Sequence, residues 1–309
     1  MRVMIILCLL SSSVYSQVAW INEFHYDNAG ADSLEFVEVV SRGPMDSLAV
    51  YLYNGTNGEA YDSVLLDTAA FTTHLEYRIY VWYPNLIQNG PTDGICLTQG
   101  TKLLETLAYE GSFTASAGIA TGIMFPAVSP RENSETTAQQ SIHRDGRGNQ
   151  PAHFQWKIAE SASRGEVNFN QVLTDEPVIY LSSADTLIFD ITPYGFQSAA
   201  GNVVLRGANL STGVKLYPPE GFEVDTSMYF EIKAVFGSSM TIPAKSGYLP
   251  PTHLYIPFVP AAPDGNEVIS LLNIEQPETA PLNILLQARV GFYDYPRMWI
   301  YEFHYDVIS

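Results

Sequence analysis

The chain has 309 residues, of which 46% are hydrophobic, 12% aromatic and only 16% charged. An apolar content this high can form buried cores, so it excludes a largely disordered chain. The 15 Lys and Arg residues are outnumbered by 33 Asp and Glu residues, which gives a formal net charge of −18. Because nucleic acids and anionic membranes are bound through clusters of Lys and Arg, this charge excludes nucleic-acid binding and a polybasic membrane anchor.

The first 16 residues have the pattern of a secretory signal peptide. Arg2 precedes a short apolar run, and small residues follow up to Ser16. The run is shorter than the ~20 residues that a membrane-spanning helix requires. We therefore expect cleavage after Ser16, no membrane insertion, and a protein that is secreted or displayed at the cell surface. Cleavage also removes Cys8, so Cys96 is left without a disulfide partner and is expected to be a buried small hydrophobic residue.

Short segments rich in Val, Ile, Tyr, Phe and Thr alternate with turns of Gly, Asn, Asp and Pro after the signal. This pattern predicts an all-β protein built as an antiparallel sandwich or barrel. Asn57-Gly58 predicts a hairpin turn, and Tyr229–Val235 is predicted as a strand. The proline-rich stretch Ile242–Pro263 lacks periodicity and is expected to cover a sheet edge.

The hydrophobic pattern lapses around Glu166–Glu176, which predicts a boundary between two domains. The expected organisation is a signal peptide at 1–16, a first sandwich at 17–170, a linker at 171–176, and a second sandwich at 177–296. Residues 297–309 are expected to form the first strand of a repeated module.

That last expectation depends on an internal repeat. Trp20-Ile21-Asn22-Glu23-Phe24-His25-Tyr26-Asp27 recurs as Trp299-Ile300-Tyr301-Glu302-Phe303-His304-Tyr305-Asp306, with seven of eight residues identical. Repeated modules are the natural explanation. The chain is then either a piece of a longer array or ends in a strand that docks on an existing sheet edge. We favour the first, because a lone strand leaves half of its backbone groups unpaired.

The first domain contains a series of motifs in a characteristic order. They are Trp20–Asp27, Asp32, Glu35-Phe36-Val37-Glu38, Leu52-Tyr53-Asn54-Gly55, Gln88–Ile95, Tyr109-Glu110-Gly111, Ser141-Ile142-His143-Arg144, Gly146, Gly148, Phe154-Gln155-Trp156 and Ser163–Asn168. In these motifs the domain resembles the bacterial lamin-tail domain family. The resemblance implies an immunoglobulin-like (Ig-like) β-sandwich. It also implies an accessory module of secreted bacterial proteins, found beside hydrolases such as nucleases and phosphatases or in long surface proteins.

The second domain is similar to the Ig-like modules of such secreted arrays. The stretches Gly207-Ala208-Asn209-Leu210 and Pro219-Glu220-Gly221-Phe222-Glu223-Val224 carry this similarity. Together the two resemblances imply two Ig-like antiparallel β-sandwich domains in tandem. Neither supplies catalytic residues.

A candidate metal site lies in the acidic segment that joins the first two predicted strands. Glu23, Asp27, Asp32, Glu35 and Glu38 fall close together there. Calcium needs six to eight oxygen ligands, and strand alternation allows at most Asp27, Asp32 and Glu35 to meet, with backbone carbonyls completing the shell. The alternative is that these carboxylates are solvated at a turn or paired with Arg or Lys.

The other candidate residues carry weaker signals. The six histidines show no zinc-ligand spacing, and His25 is expected to be packed and hydrogen-bonded to backbone. Two groups of aromatic residues could stack on sugar rings if exposed, or else pack in the core. One is the segment from Tyr77 to Tyr83, with Trp82, and the other is the pair Tyr51 and Tyr53.

These observations favour a non-catalytic module for binding, adhesion or spacing in an extracellular assembly, with a protein or glycan partner. The alternatives are a calcium-dependent carbohydrate-binding module and a metal-assisted extracellular hydrolase that uses the acids of residues 27–35. No cofactor is expected other than Ca²⁺.

Overall fold

The computed structural model describes residues 18–263 and 265–291, and the chain divides into two compact units between Thr174 and Asp175. The predicted signal peptide at 1–16 and the predicted repeat strand at 297–309 lie outside the described residues. Within them the chain forms strands and two short 3₁₀ turns, Leu66–Thr68 and Pro151–His153, but no α-helix. No helix long and apolar enough to cross a membrane occurs in this part of the chain.

The described part of the first unit, residues 18–174, contains thirteen strands. They are β1 (Ala19–His25), β2 (Phe36–Arg42), β3 (Leu48–Asn54), β4 (Glu59–Leu65), β5 (Phe71–His74), β6 (Tyr77–Trp82), β7 (Gly94–Gln99), β8 (Lys102–Ala108), β9 (Phe113–Thr114), β10 (Met124–Phe125), β11 (Ser141–Gly148), β12 (Phe154–Ala159) and β13 (Gln171–Leu173). The larger sheet has the order β12-β11-β1-β2-β6-β5, with β13 alongside β11. The smaller has the order β4-β3-β7-β8, and β9 pairs with β10.

The two sheets of the first unit enclose one apolar core. Ile21 and Phe24 of β1 and Val39 of β2 pack in the same buried cluster as Val50 of β3 and Leu97 of β7. Alternation of apolar residues along each strand supplies this inner face. The predicted Asn57-Gly58 hairpin joins β3 to β4, and Gly58 has the positive φ of +73° that such turns favour.

Eleven strands lie in the described residues of the second unit, 175–263 and 265–291. They are β14 (Val178–Leu181), β15 (Thr186–Ile188), β16 (Thr192–Pro193), β17 (Gly201–Ala208), β18 (Val214–Tyr217), β19 (Glu223–Val224), β20 (Ala234–Val235), β21 (Met240–Ile242), β22 (Leu249–Ile256), β23 (Glu267–Glu275) and β24 (Leu282–Gly291). One sheet has the order β14-β17-β22. The other has the order β15-β24-β23-β18-β21, with β16 also on β24, and β19 pairs with β20.

Both sheets of the second unit contribute to its core as well. Leu205 and Leu254 from the three-stranded sheet pack in one cluster with Leu216, Ile274 and Leu286 from the other. Three short pairings, β11 with β13 and β24 with both β15 and β16, are parallel, and the rest are antiparallel. The all-β, Ig-like sandwich fold predicted for both domains is confirmed.

The structure corrects three details of the sequence-based organisation. Residues 171–173 of the expected linker form β13 of the first unit, because the Gln171 side chain is buried in hydrogen bonds that hydrophobic periodicity cannot reveal. Of the predicted strand Tyr229–Val235, only the last two residues are a strand. The stretch Ile242–Pro263 contains β22, the edge strand of its sheet, where a proline removes no inner hydrogen bond.

A buried ion pair joins the two sheets of the first unit. The Arg144 guanidinium on β11 pairs with the Glu105 carboxylate on β8 and lies 4.2 Å above the Trp156 ring. Both partners also hold the backbone of Ile21: Arg144 Nε donates to its carbonyl at 2.8 Å, and its amide donates to Glu105 Oε2 at 2.8 Å. These two contacts satisfy backbone groups beside the bulge that interrupts the pairing of β1 with β2.

We predict that Arg144→Met destabilises the first unit by about 3–5 kcal/mol, because it leaves the Glu105 carboxylate buried without its partner. Urea unfolding followed by tryptophan fluorescence measures this, since Trp20, Trp82 and Trp156 all lie in the first unit. The double variant Arg144→Met, Glu105→Leu should recover most of the loss. A single variant as stable as the wild type would contradict a bridging role for the pair.

Candidate functional site

The three predicted calcium ligands lie at the end of β1 and in the turn that follows it. Asn89 Nδ2 is 2.9 Å from Asp32 Oδ2 and 3.5 Å from Asp27 Oδ1, so one amide contacts both carboxylates. Burial raises the pKa of Asp27, and the nearby charge of Asp32 adds to the increase. The described residues contain no group of three or more His, Cys, Asp or Glu side chains arranged to hold a metal ion.

Glu35 has a different environment from the two aspartates. Its carboxylate is buried, and Oε2 accepts a hydrogen bond from the Ile87 amide at 3.1 Å, while Oε1 has no hydrogen-bond partner. Burial raises the pKa of Glu35, and the charge of Asp32 contributes further. The structure thus pairs Asp27 with Asp32 through Asn89 and directs one oxygen of Glu35 to the backbone.

Glu23 and Glu38, the other two acids of that segment, meet on the outer face of the larger sheet. A bulge after Ile21 places them directly opposite each other on β1 and β2, and both are fully buried. The pKa of Glu38 is raised to about 8, first by burial and then by the negative charge of Glu23. Sequence alternation does not anticipate this pair, because the bulge adds one residue to β1.

These two carboxylates bind a segment that crosses the sheet, which we call the covering segment (residues 163–171). Ser163 donates its amide to Glu23 Oε1 at 3.0 Å, and Gly165 donates its amide to Glu38 Oε2 at 2.6 Å. Asn168 Nδ2 then donates to the carbonyls of Asn22 at 3.1 Å and Arg144 at 3.0 Å. The covering segment is therefore fixed to three adjacent strands by hydrogen bonds.

His25 is packed as expected, but its partner is a side chain rather than the backbone. Nδ1 lies 2.8 Å from Glu132 Oε1, and both residues are fully buried. Burial lowers the pKa of His25, but the hydrogen bond and charge of Glu132 outweigh it, so the net pKa is raised. Glu132 Oε2 also accepts the Tyr26 amide at 2.7 Å. This pair fastens the segment after β10 to the end of β1.

The aromatic residues considered for sugar stacking do not form an exposed row. Tyr53, Tyr77 and Tyr80 are buried, and Trp82 is partly buried against the core. Tyr83 is exposed. Cys96 is buried, and burial raises the pKa of its thiol to about 12, which fits the expected packing role.

The second unit presents a feature that strand prediction missed, an apolar loop (residues 226–236) that follows β19 and includes the two residues of β20. Tyr229 and Ile232 are 77% and 80% exposed, and Met228 and Phe236 are also exposed. The buried Asp225 side chain organises the loop: Oδ1 accepts the Ser227 amide at 3.0 Å, and Oδ2 accepts the Ile232 amide at 2.9 Å. The available sequence signal was the Asp-Thr-Ser start, since an Asp side chain can hydrogen-bond the backbone that follows it and so compete with strand formation.

Comparison with known proteins adds nothing to what the structure itself shows. No protein-family model matches the chain, and no curated protein matches it. One solved structure that does match is the ASH / PapD-like domain of human CEP192 (PapD-like domain 7), with 14% identity and a TM-score of 0.22. The match covers 38% of this chain and 87% of that chain. A likeness at this level carries no information on function.

We predict that the stability of the first unit depends on pH through Glu38. With a pKa of about 8 in the folded state and about 4.5 when unfolded, Glu38 takes up a proton on folding at pH values between the two. Its contribution is fully present below pH 4.5 and is lost as pH rises through 8, by up to about 1.4 kcal/mol per pH unit.

Urea midpoints measured between pH 5 and 8 test this prediction. The slope of stability against pH should be smaller in Glu38→Gln than in the wild type. Glu76→Gln, a change at an exposed carboxylate of the same unit, should keep the wild-type slope. Equal slopes in all three proteins would show that Glu38 does not hold a proton in the folded unit.

Proposed function

We propose that the chain is a non-catalytic secreted or cell-surface module that binds a partner protein within an extracellular assembly. The observation that carries the proposal is the apolar loop, because it exposes four large apolar side chains on one short segment. Apolar side chains gathered on a surface in this way mark an interaction site. In water each of them is unfavourably hydrated, and a partner that covers them removes that cost.

The composition and order of the loop both favour a protein partner. Tyr, Phe and Met are enriched at the centres of protein interfaces, where a few such side chains supply most of the affinity. Because Asp225 already hydrogen-bonds the loop backbone, little ordering entropy is lost on binding. Glu231 and the net charge of −18 argue against an anionic membrane as the binding surface.

The resemblance of the first domain to the bacterial lamin-tail family supports the location and the type of function. In secreted proteins such domains accompany catalytic domains or form part of long surface proteins. The predicted signal peptide and the repeated Trp20–Asp27 motif fit a modular protein of this kind. A module beside other domains needs a surface for contact, and the apolar loop supplies one.

Calcium binding at Asp27, Asp32 and Glu35 is a second proposal, and the unpartnered Oε1 of buried Glu35 favours it. Buried oxygen atoms normally have a partner, and a cation would supply one while relieving repulsion between Asp27 and Asp32. Metal-assisted hydrolysis would further require an open coordination position beside a base.

The apolar loop is tested by labelling the purified chain and measuring its retention on cells that express it. Tyr229→Ser combined with Ile232→Ser should reduce retention by about tenfold or more, because truncation of interface anchors typically costs at least that much. If the partner is a protein, treating the cells with protease before the labelled chain is added should abolish its retention.

The matched control is Leu75→Ser combined with Leu86→Ser, which removes two large, exposed apolar side chains from the first unit. This variant should bind like the wild type. Retention of the loop variant at the wild-type level would contradict the proposal. Dimers in sedimentation that the loop variant no longer forms would also contradict it, because the loop would then bind a second copy of the chain.

The calcium proposal predicts that millimolar Ca²⁺ raises the unfolding temperature of the first unit and that excess chelator reverses the rise. A ligand at 100 times its Kd stabilises the folded state by about 2.7 kcal/mol. Asp32→Asn should abolish the shift, whereas Asp46→Asn, at an exposed position, should retain it. If Ca²⁺ does not change the unfolding temperature of the wild-type protein, then Asp27, Asp32 and Glu35 are ordinary carboxylates that bind no calcium.

A further inference from the structure

A cleft of about 600 Å³ opens on the outer face of the larger sheet in the first unit. Its floor is formed by β11 and β12, where His143 and Lys157 are opposite each other in register. The chain after β12, at Glu160 and Ser161, forms one side. Phe169, in the covering segment, also lines the cleft. A volume of this size is typical of sites for small molecules.

The cleft contains a buried polar atom that the protein leaves unsatisfied. His143 is only 5% exposed, and its Nδ1 has no hydrogen-bond partner. Burial lowers the pKa of His143 despite the charges of Glu23 and Asp145, so the ring is neutral near pH 7. Buried polar atoms almost always have partners, and Nδ1 is covered in the unliganded protein. A molecule bound in the cleft that His143 lines would satisfy this nitrogen after a small adjustment of the ring.

An exposed aromatic ring lies at the same cleft. Phe169 is 75% exposed, although its neighbour Asn168 is buried and hydrogen-bonded to the sheet. Asn170 follows with a positive φ of +62°, and the Gln171 amide closes the turn on the Asn168 carbonyl at 3.0 Å. The turn that anchors the covering segment thereby holds a large apolar side chain in water at the edge of the cleft.

We propose that this cleft binds a neutral sugar residue of a glycan, with the ring of Phe169 against the apolar face of the sugar and His143 hydrogen-bonded to one of its hydroxyls. The inference goes beyond the proposed function, since it assigns a second ligand at a separate site of the chain. The partner-binding loop lies in the other unit, so the two sites can be tested separately.

The chemistry of the cleft selects a neutral, hydroxyl-rich ligand. A hydroxyl both donates and accepts, so it satisfies His143 Nδ1 whichever ring nitrogen carries the hydrogen. Asp145 and Glu160 offer acceptors, and Lys157 and Ser161 offer donors. Two carboxylates against one ammonium disfavour an anionic ligand. An aromatic ring next to polar groups matches the two faces of a sugar, one of C–H groups and one of hydroxyls.

The test is binding of the whole chain to an array of neutral and acidic oligosaccharides, followed by titration with the free neutral sugar that binds best. We expect binding of at least one neutral glycan and a loss of about tenfold in affinity for Phe169→Ala. In ¹⁵N-histidine spectra, the sugar should shift the ring-nitrogen signals of His143. Tyr83→Ala removes an exposed aromatic side chain outside the cleft and should bind like the wild type.

Three results would overturn the inference: no binding to any neutral glycan, preference for acidic oligosaccharides, or binding that Phe169→Ala leaves unchanged. Because Phe169 is exposed, its replacement leaves the core intact, and an unchanged unfolding curve verifies this. The loop variant Tyr229→Ser, Ile232→Ser should bind sugar normally. If that variant binds sugar normally and is also retained on cells like the wild type, the proposed function of the loop is rejected, whereas the glycan site is retained.

Discussion

Two carboxylates buried side by side on neighbouring strands determine the build of the first unit. Glu23 and Glu38 occupy the outer face of the larger sheet, and each needs hydrogen-bond donors because a buried, unsatisfied carboxylate is strongly unfavourable. The amides of Ser163 and Gly165 supply them. Asn22 and Ser141 supply further donors to Glu38 and Glu23. The covering segment therefore both covers the sheet and helps to satisfy its acids.

This arrangement explains features that lie farther along the chain. Once the covering segment is fixed, Asn168 hydrogen-bonds to β1 and β11, and β13 pairs in parallel with β11. The first unit consequently extends to Thr174, beyond the point where hydrophobic patterning stops. The same anchoring places Phe169 beside His143, so the proposed sugar site is a product of the polar network rather than of the apolar core.

The second unit uses a single carboxylate in a comparable way but to the opposite effect. Asp225 is buried and hydrogen-bonds the backbone of the loop that follows it. In the first unit, buried acids hold a segment against the sheet, whereas here the acid holds a loop whose side chains remain in water. Tyr229–Val235 has strand-forming composition, and its predicted strand fails because these residues gain no strand partner before Ala234. A segment that has strand-forming composition but does not form a strand is typical of functional sites.

The sequence by itself determined the fold class, the positions of the long strands of both sandwiches, the Asn57-Gly58 hairpin and the packing role of Cys96. These follow from period-two alternation and turn chemistry, which act over a few neighbouring residues. The tertiary structure alone decided that Glu23 meets Glu38, that Glu132 is the partner of His25, and that Asp32 shares Asn89 with Asp27. Each of these depends on a bulge or on residues distant in the chain, and side-chain alternation counted along one strand contains no information about either.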